Sequence, residues 1–265
     1  MNLLDKIIAN KKKELVELIK LKPVKELEHN KYFTRGIIPL TESILSPGKT
    51  GIIAEFKRKS PSQGILNNQV DIGIVTTGYA REGASGLSVL TDHEFFGGDI
   101  NDLMLVRKLN SIPLLRKDFI IDEYQVIESK AAGADVILLI AAIIPENQIL
   151  KLAHLARSIG LQVLMEVHNV TEIQMVNEYV NIIGVNNRDL RTFKIDTKLS
   201  FELADKIPGD FVKISESGIS SFDTIIKLKK AGYQGFLIGE KFMKDKDPVF
   251  SFAELTRLLR GYAEN

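Results

Sequence analysis

The chain contains neither cysteine nor tryptophan in its 265 residues. Without cysteine there can be no disulfide, no thiolate metal ligand and no cysteine nucleophile, and a thiol-free composition fits the reducing cytosol. Charge of one sign is also scarce. Thirty-five Lys and Arg stand against 34 Asp and Glu, a net of +1, so no global field recruits nucleic acid or an anionic membrane. Any anion selectivity must therefore be local. The longest apolar run, 136–144, falls far short of the roughly 20 residues that a membrane-crossing helix needs. The opening residues, Met1-Asn-Leu-Leu-Asp-Lys6, lack the apolar stretch of a secretion signal.

What is present is a globular composition, 45% hydrophobic and 26% charged, with length enough to bury roughly three quarters of the unfolded surface in one domain. Short β-rich apolar runs recur at 51–57, 86–91, 113–119, 134–141, 162–167, 182–187, 211–215 and 235–239. Amphipathic stretches at 123–132, 146–159, 171–179, 222–231 and 252–261 read as helices, several followed by a glycine (Gly133, Gly160, Gly232) of the kind left-handed caps use. Eight strands alternating with helices at this spacing predict an α/β fold, a (β/α)8 TIM barrel. An open doubly wound sheet would want a Gly-rich first turn, which is missing. The whole of 1–265 reads as one domain, with 1–45 as a helical extension packed on the barrel. In the first helix Leu4, Ile7 and Ile8 share one face, leaving Lys11, Lys12 and Lys13 as a solvated face. Pro23 ends it.

Two apparent motifs carry nothing. Gly48-Lys49-Thr50 resembles the end of a phosphate-binding P-loop, but Ser43 stands where its first glycine belongs and a strand follows where a helix should. His29, His93, His154 and His168 have no metal-ligand spacing, so no metal is expected.

In a barrel the chemistry sits at the C-terminal strand ends. Strand alternation puts Glu55 and Lys57 on one face with Phe56 on the other, and two ionisable groups facing a core are expensive to keep. Further strand ends offer Lys117, Glu166, Asn186-Asn187-Arg188-Asp189 and Glu216-Ser217-Gly218. Their convergence predicts a shared catalytic mouth. Ser217-Gly218 and Gly239-Glu240 follow the last two strands, where backbone N–H groups commonly bind phosphate. The Glu240 side chain should then turn away from the anion.

The ordered set Ile53-Ala-Glu-Phe-Lys-Arg-Lys-Ser-Pro-Ser62, Leu90-Thr-Asp92 with Phe96-Gly-Gly98, Leu115-Arg-Lys-Asp-Phe-Ile120, Leu164-Met-Glu-Val-His168, Gly184-Val-Asn-Asn-Arg-Asp-Leu190 and Ser215-Glu-Ser-Gly-Ile219 resembles the indole-3-glycerol-phosphate synthase family. The resemblance spans nearly the whole chain, including a helical extension over the mouth. It implies conversion of 1-(2-carboxyphenylamino)-1-deoxyribulose 5-phosphate to indole-3-glycerol phosphate, with loss of carbon dioxide and water and with no cofactor. It implies Lys117 as general acid, its pKa lowered towards neutrality if other cations lie near. Glu166 would be the base or cation-stabilising carboxylate, Lys57 would engage the substrate's carboxylate and phosphate or act as the dehydration acid, Glu55 would hold the lysines or relay protons, and Asn186 would orient Glu166 and the substrate hydroxyls. Phosphate would be gripped around Ser217, Gly218, Gly239 and Glu240 with Ser60, and Arg188 and Glu216 belong to the same binding set. Phe96, Phe119 and Leu138 match the family's slot for the anthranilate ring, and 58–68 would form a mobile lid. The lack of tryptophan means that any aromatic contact from the extension must come from another residue. Small-molecule phosphorylated substrate, no nucleic acid, no membrane, a cytoplasmic setting and a monomer complete the expectation. A phosphoribosylanthranilate isomerase-like barrel is disfavoured because it needs a cysteine base. A barrel that only binds a sugar phosphate would not need the acid/base set.

Overall fold

Period-two alternation within each short apolar run decides what its strand presents to the inside. In the computed structural model, which describes residues 3–263, eight such runs form parallel strands. They are β1 (Ile52–Phe56), β2 (Gly86–Leu90), β3 (Leu114–Lys117), β4 (Val136–Ile140), β5 (Gln162–Val167), β6 (Ile182–Asn186), β7 (Val212–Glu216) and β8 (Gly235–Ile238). They pair in chain order, and β8 closes on β1 through Ile52–Phe236, Ile53–Leu237 and Ala54–Ile238. The chain is a closed (β/α)8 barrel with a helical N-terminus.

The odd-numbered strands carry two layers in series. Ile53, Leu115, Leu164 and Ile214 join the inner apolar cluster, and the residues two further along, Glu55, Lys117, Glu166 and Glu216, line the cavity above it. The alternate set, including Ala54, Phe56, Val163, Met165, Ile183 and Val185, packs outward in the larger cluster with the helices. The barrel is thus apolar at its N-terminal end and charged at its C-terminal end. The flanking helices start on short polar caps, Asp71, Asp99, Asp122 and Ser221, each side chain accepting a backbone N–H of the first turn.

Residues before β1 run the length of the barrel. The helix Leu3–Leu21 crosses the C-terminal mouth, where Leu4 and Ile7 close the inner cluster from above. Tyr124 Oη donates to the carbonyls of Leu18 (3.3 Å) and Lys22 (2.9 Å). Further down, Arg35 pairs with Asp135 at 2.6 Å, and the helix Leu40–Leu45 brings Leu40 and Ile44 under the same inner cluster.

Two expectations fail. The stretch 171–179 is helical only over Val170–Ile173. The Asn177 side chain accepts from the Tyr179 N–H at 3.1 Å, offering the backbone a turn in place of a helical bond. The lysine face is not uniformly solvated either: Lys12 and Lys13 are exposed, but Lys11 is buried, with 4% of its surface accessible. Its ammonium lies among Glu14, Asp92 and Asp118.

Candidate active site

The upper layer of the barrel interior gathers charge from four strand ends. Lys117 Nζ stands 3.3 Å from Glu166 Oε2 and 3.5 Å from Glu216 Oε2. Across the cavity, Lys57 Nζ pairs with Glu55 Oε1 at 2.8 Å, and Ser88 Oγ donates to Glu55 Oε2 at 3.4 Å. Asn186 Nδ2 donates to Glu166 Oε1 at 3.0 Å, and His168 Nε2 lies 3.4 Å from that same oxygen. Gly184 leaves the space that the Glu216 carboxylate occupies. A Cβ there would sit 2.3 Å from Glu216 Oε1, an oxygen without a hydrogen-bond partner among the described residues.

This arrangement sets the protonation of each group. Burial would lower the Lys117 pKa, but the charges of Glu166, Glu216 and Glu55 raise it instead. The expected drop towards neutrality therefore does not occur, because the neighbours of Lys117 are carboxylates and not cations. Burial works to raise Glu55 and Glu166 as well. Lys57 and Lys117 hold Glu55 below the usual carboxylate range, and Lys117, His168 and the Asn186 hydrogen bond do so for Glu166. Glu216 goes the other way. Burial and the nearby charges of Glu166 and Glu55 outweigh Lys117, and its carboxyl is pushed up to about 7. Burial alone would lower the His168 pKa, but the hydrogen bond to Glu172 and the Glu166 charge raise it.

Above the cluster lies a cavity of about 720 Å³, open mouth included, lined by the charged set together with Ser60, Leu90, Phe96, Phe119 and Leu138. Phe96 and Phe119 face each other with ring centroids 5.9 Å apart and planes tilted by 41°, an apolar wall beside Lys117. The buried Ser60 hydroxyl has no hydrogen-bond partner among the described residues. Next to this cavity, and sharing Glu55, Lys57, Arg188, Ser217 and Leu237 with it, is a second cleft bounded by Gly218, Gly239 and Glu240. Ser217 and Gly218 both have left-handed backbone, φ 64° and 73°. For a serine that costs about 1 kcal/mol or more. Asn187 holds the turn, donating from Nδ2 to the carbonyls of Glu216 and Ser217 at 3.0 Å each.

The structure brings Glu55, Lys57, Lys117, Glu166, Asn186 and Glu216 into one cavity, with Phe96, Phe119 and Leu138 beside them. Ser217, Gly218, Gly239, Glu240 and Arg188 assemble at the adjoining cleft. Glu216 belongs to the Lys117 cluster and does not border the cleft of the last two loops. The Glu240 carboxylate stays on the cleft wall instead of turning away, because Arg188 Nη2 (2.9 Å) and Lys244 Nζ (2.8 Å) both bind it. Arg188 also donates to Ser62 Oγ at 2.9 Å, tying the first loop to the last. Sequence reasoning missed Pro61, Ser62, Ile140, Leu190 and Phe193 as lining residues, and His168 as a neighbour of Glu166. Position two past Glu166, again by strand alternation, was the available signal for His168. Residues 58–68 are not featureless: Lys59–Ser60 and Gly64–Ile65 pair as a small hairpin, and the Arg58 guanidinium binds Asp102. Among the described residues no group of three or more His, Asp or Glu side chains is arranged to hold a metal ion, and no helix is long and apolar enough to cross a membrane.

The sequence model of indole-3-glycerol phosphate synthase matches residues 4–255. The chain belongs to the indole-3-glycerol phosphate synthase family. Membership makes it a lyase of tryptophan biosynthesis. The indole-3-glycerol phosphate synthase of Bacteroides thetaiotaomicron is 42% identical over 252 residues, covering 93% of this chain and 95% of its own length. That of Caldanaerobacter subterraneus subsp. tengcongensis is 40% identical, covering 96% and 99%. Among solved structures, KGPDC from Streptococcus mutans superposes with a TM-score of 0.61 at 12% identity, covering 81% of this chain and 98% of that one. At that identity the likeness is one of fold alone.

Proposed function

We propose that the protein closes the indole ring of 1-(2-carboxyphenylamino)-1-deoxyribulose 5-phosphate, releasing carbon dioxide and water to give indole-3-glycerol phosphate. The observation that carries this reading is the Lys117 ammonium, held between Glu166 and Glu216 and directly below the Phe96–Phe119 wall. That supports reading Lys117 as a cationic acid next to the site of an aromatic ring.

The ring carbon bearing the carboxylate attacks the ribulose carbonyl, and Lys117 gives its proton to the oxygen that becomes negative. A strongly basic lysine suffices because the forming alkoxide is a stronger base than the amine. Its three carboxylate neighbours keep it charged and aimed. Carbon dioxide leaves and aromaticity returns. The hydroxyl then departs as water, protonated by Lys57 and pushed by the ring nitrogen, while Glu166 stabilises the cationic intermediate and takes the proton from the adjacent carbon. Asn186 keeps the Glu166 carboxylate in place. Two protons go onto one oxygen and one comes off carbon, so each turnover draws one proton from solvent. Lys57 engages the substrate carboxylate and phosphate and may not be exchanged for a neutral residue without loss; Glu55 holds it.

The phosphate would lie against the backbone N–H groups of Ser217, Gly218, Gly239 and Glu240, with the Ser60 hydroxyl and Arg188 at the rim, and the hairpin loop would close as a lid. No cofactor takes part in these steps. All the groups named come from one chain, which supports action as a monomer, and the cysteine-free composition suits the cytoplasm. The test is to follow indole fluorescence with purified protein and this substrate in buffer free of metal and nucleotide. Fluorescence should rise as substrate is consumed; no rise with folded protein would end the reading.

A further inference from the structure

Lys11 is the one member of the Lys11-Lys-Lys13 run that leaves solvent. Its ammonium sits 3.0 Å from Asp92 Oδ2, 3.1 Å from Asp118 Oδ1 and 2.8 Å from Glu14 Oε2. Asp92 and Asp118 are themselves buried and stand on the loops that follow β2 and β3. Each also holds the backbone of one ring of the apolar slot. Asp92 Oδ1 accepts the N–H of Phe95 (2.9 Å) and Phe96 (3.3 Å). Asp118 Oδ1 accepts the N–H of Phe119 at 2.8 Å. The remaining Asp118 oxygen is filled by Thr91 Oγ1 at 2.6 Å and Arg116 Nη2 at 3.1 Å. Lys11 is thus the bridge between two carboxylates whose other task is to seat Phe96 and Phe119.

We infer that Lys11 is a positioning residue for the reaction: by bridging Asp92 and Asp118 it holds the contacting Phe96 and Phe119 rings as one wall of the pocket for the substrate's aromatic ring. Taking the cation away leaves the buried Asp92 without its ion pair beside Asp118, which keeps only Arg116. Their repulsion separates the loops that carry the rings. The wall parts, but the loops after β7 and β8, which share no residue with the bridge, stay as they are. The helix over the mouth therefore reaches the substrate through the slot while touching neither the reacting atoms nor the phosphate cleft. Burial opposes the charge on Asp118, yet Lys11 and Arg116 hold its carboxyl down to about 2, so this acid stays ionised across the working pH range.

This inference rests on the slot being the ring site, and the experiment separates the two. The probes are the substrate with its ketone reduced to an alcohol, which keeps ring and phosphate but cannot cyclise, and inorganic phosphate as its competitor. Lys11→Met should weaken the reduced substrate by about tenfold or more while phosphate affinity stays within about twofold, a loss read mainly in KM and less in kcat. Lys12→Met, at an exposed site, should change neither. A folded Lys11→Met with a lower Tm but native affinity for the reduced substrate would show that the cation serves stability alone and overturn the inference. Equal weakening of both probes would overturn it too, as general damage to the mouth. Should Lys11→Met fail to fold, Asp92→Asn keeps the acceptor for Phe96 but removes the charge that Lys11 meets. Weaker binding of the reduced substrate by that variant supports the bridge, and unchanged binding overturns it. Phe96→Ala is the comparator. If it binds the reduced substrate normally, the ring site has been misplaced and the bridge falls with it; if it binds weakly while Lys11→Met does not, only the bridge is wrong.

Discussion

Two buried carboxylates at opposite ends of the barrel show what separates a structural charge from a working one. Asp135, at the N-terminal end and 0% exposed, uses its full acceptor capacity. Oδ1 takes Arg35 Nη2 at 2.6 Å and the Ile38 N–H at 2.8 Å, and Oδ2 takes Arg107 Nη1 at 2.7 Å and the Leu114 N–H at 2.8 Å. Glu216, at the C-terminal end and 1% exposed, has one distant cation shared with Glu166 and one oxygen without a hydrogen-bond partner among the described residues. Equal burial, opposite satisfaction. A saturated charge locks its surroundings, whereas an under-satisfied one stores free energy that an arriving ligand or proton can release.

The contrast can be broken at either end. The largest effect is expected at the saturated one. Asp135→Ala strands the buried Arg107 guanidinium and two backbone donors, and unfolding by denaturant should show a loss of about 3–5 kcal/mol. Where that variant remains folded, kcat should be close to native; a large drop in kcat with intact stability would reverse the comparison. Lys117→Ala should do the opposite. Steady-state turnover should fall by about 10²- to 10⁴-fold with the affinity for reduced substrate largely kept, and normal turnover would remove Lys117 from the role of acid.

Glu216→Gln gives the smallest and most informative change. The Glu216 pKa is raised to about 7 from 4.5, so the folded state holds a proton there that the unfolded state gives up. Its contribution to stability is present below the unfolded value and is lost as pH rises through about 7. Above that point the charged Glu216 is a burden. At pH 8 the glutamine variant should be more stable than the native protein, on the order of 1–3 kcal/mol. Native kcat/KM should fall as pH rises past about 7, because a further negative charge then meets an anionic substrate. The variant should lack that limb, and a limb that persists assigns it to another group.

Much of this layout was legible in sequence because it obeys short-range rules. Apolar runs bounded by turns located every barrel strand to within two or three residues, and the run 162–167 coincides with β5. The same alternation that put Ile53, Leu115 and Leu164 inside put Glu55, Lys117 and Glu166 above them. What stayed hidden depends on partners distant in sequence. Nothing local distinguishes Lys11 from Lys12 or Lys13; two aspartates on later loops do. The basicity of Lys117 is a sum over carboxylates from three other strands, so an expectation built on neighbouring cations took the wrong sign. Gly184 looked like any strand glycine until Glu216 was seen to need its empty side. The helix expected over 171–179 gave way to one side chain, Asn177, whose local bond no periodicity reveals.

The segment that runs from mouth to base also bears on how the molecule comes together. Leu40 gives its N–H to Gln162 across 122 positions of chain, and Tyr124 reaches back 102 to Lys22. Ring closures of that size return little until the sheet they land on exists. The leading helix therefore depends on the pairing of β2 with β3, because until those strands meet Lys11 has no pair of acids to enter. The roof over the mouth is thus a product of long-range contacts and not of its own sequence.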